Sequence, residues 1–328
     1  MWCSQRATKL TDVQVKTTTE TDLLLACDAK RQAMCEALQT QSERQLDAIK
    51  EYAASLRDAR EIFKAGAQSA SPLVWAWSGP FGHDYRNVLQ TALPFEFAMV
   101  HVAQGLAQLR VGVSAMHSAA YVLANSLFEA AVCSLSEAKE EAKAWYDFKA
   151  VARAPPVLRR GAISSMQLHA RAWQQLAWAA QSMSQAPDAA VPQHALHILA
   201  GAVKLARCAI SFLKDVHAGV WRGACESFLR DVECIAVTVA LQKRRSNVVH
   251  TGDSGALAGL TRAALKRLAP DSSASPCERA LCQLSETIFQ ENTRLYYEKE
   301  TQTHSDLHIE PEPTYVFDLA PELKVKLQ

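Results

Sequence analysis

Apolar and polar positions follow a helical period along most of the chain, and the most apolar stretch, residues 94–110, organises the rest. Apolar residues fall at Phe97, Val100, Val102, Leu106, Leu109 and Val113, close to an i, i+3, i+4 rhythm, while His101, Gln104, Gln108 and Arg110 mark a polar face. The spacing predicts a central helix buried over most of its circumference, which needs neighbours on several sides. Upstream, 23–39 and 43–64 read as two helices with charged outer faces, the second spaced by Leu46, Ile49, Ala53, Leu56 and Phe63. Downstream, the period runs through 114–151 and breaks at Ala154-Pro155-Pro156, because a proline disfavours helix at the residue before it. Further helices are expected from 160 or 164 to 184 and over 193–216, 219–246, 254–268 and 277–299, with Pro187 and Pro192 as interruptions.

Two stretches depart from the helical period. Residues 12–18 alternate apolar and polar with β-branched side chains, and 73–78 is rich in tryptophan and closed by Gly79-Pro80, so both are candidate strands that would pair in a small sheet at the N-terminal end. The tail, 301–328, holds several prolines and is expected to be extended. The predicted class is therefore mainly all-α: an elongated helical solenoid, one domain over 1–328, with its helical body at 22–300. No repeat of 33 to 47 residues is visible, so the units are irregular.

Composition agrees with this, since nearly half the residues are apolar and Gly and Pro number only 12 each among 328. A net charge of +1 argues against nucleic acid as the partner. The basic run Lys243-Arg244-Arg245 reads as a solvated helix end that suits the helix dipole. Nine cysteines, scattered and odd in number, look like the reduced thiols of a cytosolic protein. No leader-like apolar region and no uncharged apolar run of membrane-spanning length is present, so the expectation is a soluble, cytoplasmic protein, at most peripheral to a membrane.

Candidate chemistry is sparse. Gly252-Asp253-Ser254-Gly255 has the letters of a serine-protease nucleophile, but that chemistry needs a β scaffold this chain cannot build, and Asp253 or Ser254 as a helix N-cap after a glycine turn accounts for it. His194 with His197, and His304 with His308, supply half of a zinc site at most. Nucleotide-binding glycine loops are missing. No catalytic residue, cofactor or metal is expected.

Five segments, in order, resemble one family. Val13-Gln14-Val15-Lys16-Thr17-Thr18 before Asp22-Leu23 is similar to its opening strand, and Val74-Trp75-Ala76-Trp77 to its Phe-x-Trp strand. Leu93-Pro94-Phe95-Glu96, leading into Met99-Val100-His101-Val102-Ala103, resembles its aromatic-Glu pair before the most apolar helix. Ala170-Arg171-Ala172-Trp173-Gln174 stands at its Ala-Gln-Ala-Gln-Glu run, and Glu291-Asn292-Thr293-Arg294-Leu295-Tyr296-Tyr297 at its Asp-Asn-Asp-x-Ile-Tyr-His signature. The family is the Bro (BRO-one) domain, the boomerang-shaped domain of ALIX-like, ESCRT-associated endosomal scaffolds. Glu300-Thr301 replaces its Val-Pro, and the family's Phe-Asn after the aromatic-Glu pair is missing.

The resemblance implies a curved solenoid of tetratricopeptide-like helix hairpins and a non-enzymatic scaffold of multivesicular-body sorting. It implies a groove that receives the C-terminal amphipathic helix of an ESCRT-III subunit of the Snf-seven type, with Leu176, Ala195 and Leu199 as groove residues. A groove wall of this kind would be partly exposed; periodicity alone favours reading the same residues as core, and the resemblance sets the groove beside it. Tyr296 stands at the signature tyrosine, as a packing residue or one presented to signalling partners. The rival readings are a signalling adaptor of the pH-response or small-GTPase type and, behind it, a divergent hydrolase. The implied location is the cytoplasm, with recruitment to endosomes.

Overall fold

The computed structural model describes residues 2–3, 13–14, 18–40, 44–64, 68–69, 75–78, 88–90, 93–146, 156–186, 191–214, 216, 219–270, 275–296 and 313–315. The described residues are predominantly helical, as the period predicts. Nine α-helices lie among them: α1 (Thr18–Thr40), α2 (Gln45–Lys64), α3 (Leu93–His117), α4 (Tyr121–Tyr146), α5 (Arg160–Ser184), α6 (Gln193–Ser211), α7 (Gly219–Thr251), α8 (Ser254–Leu268) and α9 (Pro276–Glu291). Most bounds match the expected ones within a few residues, and the shifts have local causes. Helix α1 starts at Thr18 rather than at 23, which places Glu20 in its first turn, where a carboxylate suits the helix dipole. Helix α3 runs on to His117 and ends where Ala119 takes a positive φ of 58°, so α4 starts at Tyr121 and not at 114.

The single small sheet expected from strands 12–18 and 73–78 is not seen. Strand β2 (Val13–Gln14) pairs antiparallel with β3 (Gln68–Ser69), whereas β4 (Trp75–Ser78) lies between β1 (Trp2–Cys3) and β5 (Val88–Gln90). Both edges of β4 are already taken, so β2 has no place beside it. Partners only two or three residues long are too short to leave an alternation in the sequence.

Packing divides the chain into two compact units, each built from separate stretches: Met1–Ala115 with Ser126–Ala170 and Ser211–Gly223, and Met116–Asn125 with Arg171–Ile210 and Ala224–Gln328. In the first unit α3 is the centre, with every residue from Phe95 to Ala103 buried. The predicted polar face of this helix faces water only in part: Arg110 is exposed and Gln104 half-buried, whereas His101 and Gln108 are buried. His101 is buried with Nδ1 3.0 Å from Glu137 Oε2, and buried Gln108 accepts a 2.9 Å hydrogen bond from Ser134 Oγ, so α4 sets a polar group against each. The two helices approach closely at Gly112, where a Cβ would stand 2.6 Å from the Phe128 ring.

The strongest polar feature of this unit is Glu96, which is fully buried at the start of α3. Its Oε1 accepts from Arg31 Nε of α1 at 3.0 Å and from Tyr52 Oη of α2 at 2.8 Å, and its Oε2 accepts from Trp77 Nε1 of β4 at 2.5 Å. A carboxylate so placed joins four elements. Burial pulls the Arg31 guanidinium down, but Glu96 and Tyr52 outweigh it and hold its pKa above the ordinary value, while burial and Glu96 push the Tyr52 phenol well up.

In the second unit α7, α8 and α9 share a core that includes Cys234, Val237, Leu241, Leu257, Leu281 and Ile288, with Leu196 of α6 packed against it. A capping box between Ser275 and Glu278, followed by Pro276, starts α9. Helix α7 continues to Thr251, five residues beyond the expected end, so the basic run 243–245 is interior to a helix and not a solvated terminus. Lys243 donates to Gln193, and the Arg245 guanidinium pairs with both carboxylate oxygens of Glu291. Partners on α6 and α9 claim two of these charges, which a one-helix reading cannot foresee.

The cysteines also depart from expectation. Cys27, Cys133, Cys208, Cys225, Cys234, Cys277 and Cys282 form no disulfide, but Cys35 is disulfide-bonded to a partner outside the described side chains. Spacing along the chain does not reveal such a bond, because it depends on distance in space. Among the described residues, no helix is long and apolar enough to cross a membrane.

Candidate functional site

The helix pair that the resemblance singles out, α5 from Arg171 and α6 to Ile210, lies within the second unit. Amphipathic spacing makes each helix two-sided. On α6, Ala195 and Leu199 are wholly buried, and Leu176 of α5 is 4% exposed. The partial exposure expected of groove walls is therefore not found at these three residues. The reason lies in the period: Leu199 is two residues from both His197 and Gly201, about 200° around the helix, so it shares a face with the buried Ala195, Val203 and Ala206.

The opposite side of α6 carries His197, Gly201 and Cys208 at helical spacing, and a remote piece of chain lies along it. Thr314 N donates to the main-chain oxygen of His197 at 3.1 Å, and Gln175 Nε2 of α5 donates to the oxygen of Thr314 at 2.8 Å. Both backbone groups of one residue are thus held, one by each helix. Gly201 makes the approach possible, since a Cβ there would stand 2.7 Å from the Thr314 oxygen and 3.5 Å from the Tyr315 ring. Burial, with the Cys208 thiol nearby, raises the pKa of the Tyr315 phenol. Of the tail expected to be extended, residues 313–315 are described and lie outside helix and strand; the rest of 301–328 lies outside the described residues.

On the same two helices, Trp178 of α5 is exposed at 39%, His194 Nε2 lies 3.0 Å from Ser182 Oγ, and His197 Nε2 lies 3.3 Å from Gln193 Nε2. The two histidines, considered as a metal pair, have separate partners, and His304 and His308 lie outside the described residues. Trp173 of α5 stacks on Phe228 of α7, with ring centroids 4.5 Å apart.

The other singled-out residues serve structure. Gly252, at φ 74°, makes the expected turn, and Asp253 is the N-cap of α8, although its side chain makes no capping bond. Ser254 is buried, and its hydroxyl donates to Asn292 Oδ1 at 2.8 Å, tying the start of α8 to the end of α9. Asn292 opens the turn of π-helix Asn292–Tyr296 that carries the signature segment. The side chain of Tyr296 lies outside the described ones, as does Tyr297 altogether. Sequence reasoning missed Gln175, Gly201 and Thr314: a glycine inside an apolar helix was the available signal, since it marks close backbone approach.

No family model and no curated relative matches the chain. Solved structures do. An ALIX structure, crystallised in complex with the SIVmac239 late-domain peptide PYKEVTEDL, matches 91% of this chain at a TM-score of 0.61 and 12% identity, and the chain spans 46% of that ALIX chain. A Bro1 domain structure, described as the basis of endosomal targeting, matches 93% of this chain and 83% of its own length at a TM-score of 0.55 and 9% identity. The chain has a Bro1-domain-like fold.

Proposed function

We propose that residues 1–328 form one Bro-type domain and that the chain is a non-enzymatic scaffold of ESCRT-linked endosomal sorting, working in the cytoplasm and recruited to endosomes. The observation that carries this reading is the likeness of over nine-tenths of the chain to the ALIX and Bro1 structures, one of them described by its role in endosomal targeting. The proposed ligand is the C-terminal amphipathic helix of an ESCRT-III subunit of the Snf-seven type, docked on α5 and α6. In this arrangement Leu176, Ala195 and Leu199 set the spacing of the two helices from below, and the exposed ring of Trp178 supplies an anchor to the apolar face of the ligand.

Calorimetric titration of the full chain with a synthetic ESCRT-III C-terminal helix tests it. Binding in the micromolar range is expected, weakened about tenfold or more by Trp178→Ala, which removes one aromatic anchor of roughly 1.4 kcal/mol or more. Because Trp178 is partly exposed, the thermal melt of that variant should stay near wild type. A full chain that fails to bind at millimolar peptide refutes the reading, and recovery of a GTPase or a protease in a pull-down favours the signalling-adaptor alternative.

A further inference from the structure

The seat of Thr314 is built for backbone, and this separates it from ordinary tail packing. A helix interior normally offers no free hydrogen-bonding edge, since its main-chain groups are already used. Here the His197 oxygen takes an additional donor from outside the helix, the side-chain amide of Gln175 answers the Thr314 oxygen, and a glycine notch brings the visiting chain to van der Waals distance of α6. Gln175 is wholly buried, so its amide is held in place and is not a mobile surface group. Neither hydrogen bond involves the side chain of Thr314, so the seat does not select for threonine. The next residue is different: the Tyr315 ring lies against Gly201 and is half-buried toward Cys208.

From this geometry we infer that the outer α5–α6 surface is a binding site for an extended peptide, any residue followed by an aromatic one, and that the chain's own Pro313–Tyr315 occupies it as a displaceable strap. The chemistry of the ligand is that of the present occupant: a backbone N–H and C=O pair outside regular secondary structure, then an aromatic ring that packs against Gly201. A ligand in trans and the strap exclude each other, because the notch at Gly201 has room for one backbone. The inference deepens the proposed use of α5 and α6 by adding regulation of that surface, yet it does not require an ESCRT-III ligand. A tethered segment competes at an effective concentration on the order of millimolar, so a site with an intrinsic Kd of about 100 µM becomes about tenfold harder to reach.

The test uses the full chain and a fluorescent synthetic peptide of residues 310–317. Thr314→Pro removes the N–H that reaches His197 and leaves the helices untouched. Binding of the peptide to this variant is expected to be at least tenfold tighter than to wild type, with faster hydrogen exchange at the Tyr315 amide. Adding Gly201→Leu to the same variant should abolish peptide binding, since the side chain fills the notch. Gln175→Ala, which removes the second bond without introducing proline, should give the same release of the strap in exchange measurements. Equal peptide affinity for wild type and Thr314→Pro, or unchanged Tyr315 exchange in both release variants, overturns the inference. The ESCRT-III helix is titrated in parallel: its failure to bind any variant removes the proposed partner while the peptide arm still stands or falls alone.

Discussion

Replacing Glu96 is the most demanding test of how the first unit is held together. The carboxylate is wholly buried and accepts from Arg31, Tyr52 and Trp77, while Arg31 itself is 7% exposed. Glu96→Leu keeps the volume and the apolar surroundings but leaves a buried guanidinium without its counter-charge, at a cost of about 3–5 kcal/mol. Loss of the acceptor for Tyr52 and Trp77 acts in the same direction. With a urea m-value of about 3 kcal/mol/M, the unfolding midpoint should fall by roughly 1–1.7 M. Circular dichroism across a urea series measures this directly. Arg31→Met combined with Glu96→Leu should lose less than Glu96→Leu alone, because it buries no uncompensated charge. The reasoning is refuted by a Glu96→Leu midpoint within about 0.2 M of wild type, or by a double variant as unstable as the sum of its parts.

Leu199→Asp should unfold the second unit or lower its melting temperature by many degrees, because Leu199 is wholly buried and the new carboxylate would have no partner; a variant that melts like wild type in a thermal scan would show the α6 core face to be misassigned. Acidification should destabilise the first unit through His169, whose pKa burial lowers to about 4 beside the edge of Trp221. The unfolded chain takes up this proton near the ordinary pH of 6.5 and the folded one does not until about 4, so about 3 kcal/mol of stability is present above that window and is lost as pH falls through it. His169→Gln should flatten the slope of urea midpoint against pH between those limits, and an unchanged slope would remove His169 as its source.

Much of the architecture is legible in the sequence. Periods of 3.6 residues placed the helices, because a helix that buries one face must repeat its apolar residues at that spacing, and Pro192 and Gly252 punctuated them for local steric reasons. The bounds of α5 and α8 followed from such signals alone. The resemblance of five short segments to the Bro domain was also sequence information, and the fold agrees with it. What periodicity could not decide was the partner of each polar group. His101 and Gln108 read as a polar face, yet Glu137 and Ser134 of α4 come up against them, and Glu96 at the start of the same helix is satisfied by Arg31, Tyr52 and Trp77 from three other elements. The same holds for the cysteines, where only distance in space can join Cys35 to its partner.

The candidate site divides along the same line. An apolar stripe at 176, 195 and 199 is the same pattern whether it lines a groove or a core, since both demand aliphatic side chains at helical spacing; only burial separates them, and it places all three inside. The other face of α6 left one trace, Gly201, whose meaning depends on a segment more than a hundred residues further along the chain. Sequence by itself determined that α5 and α6 exist and that each has two faces, because that is local periodicity. Which face packs into the unit and which receives Thr314 is decided by long-range contacts, and those exist only once the chain has folded.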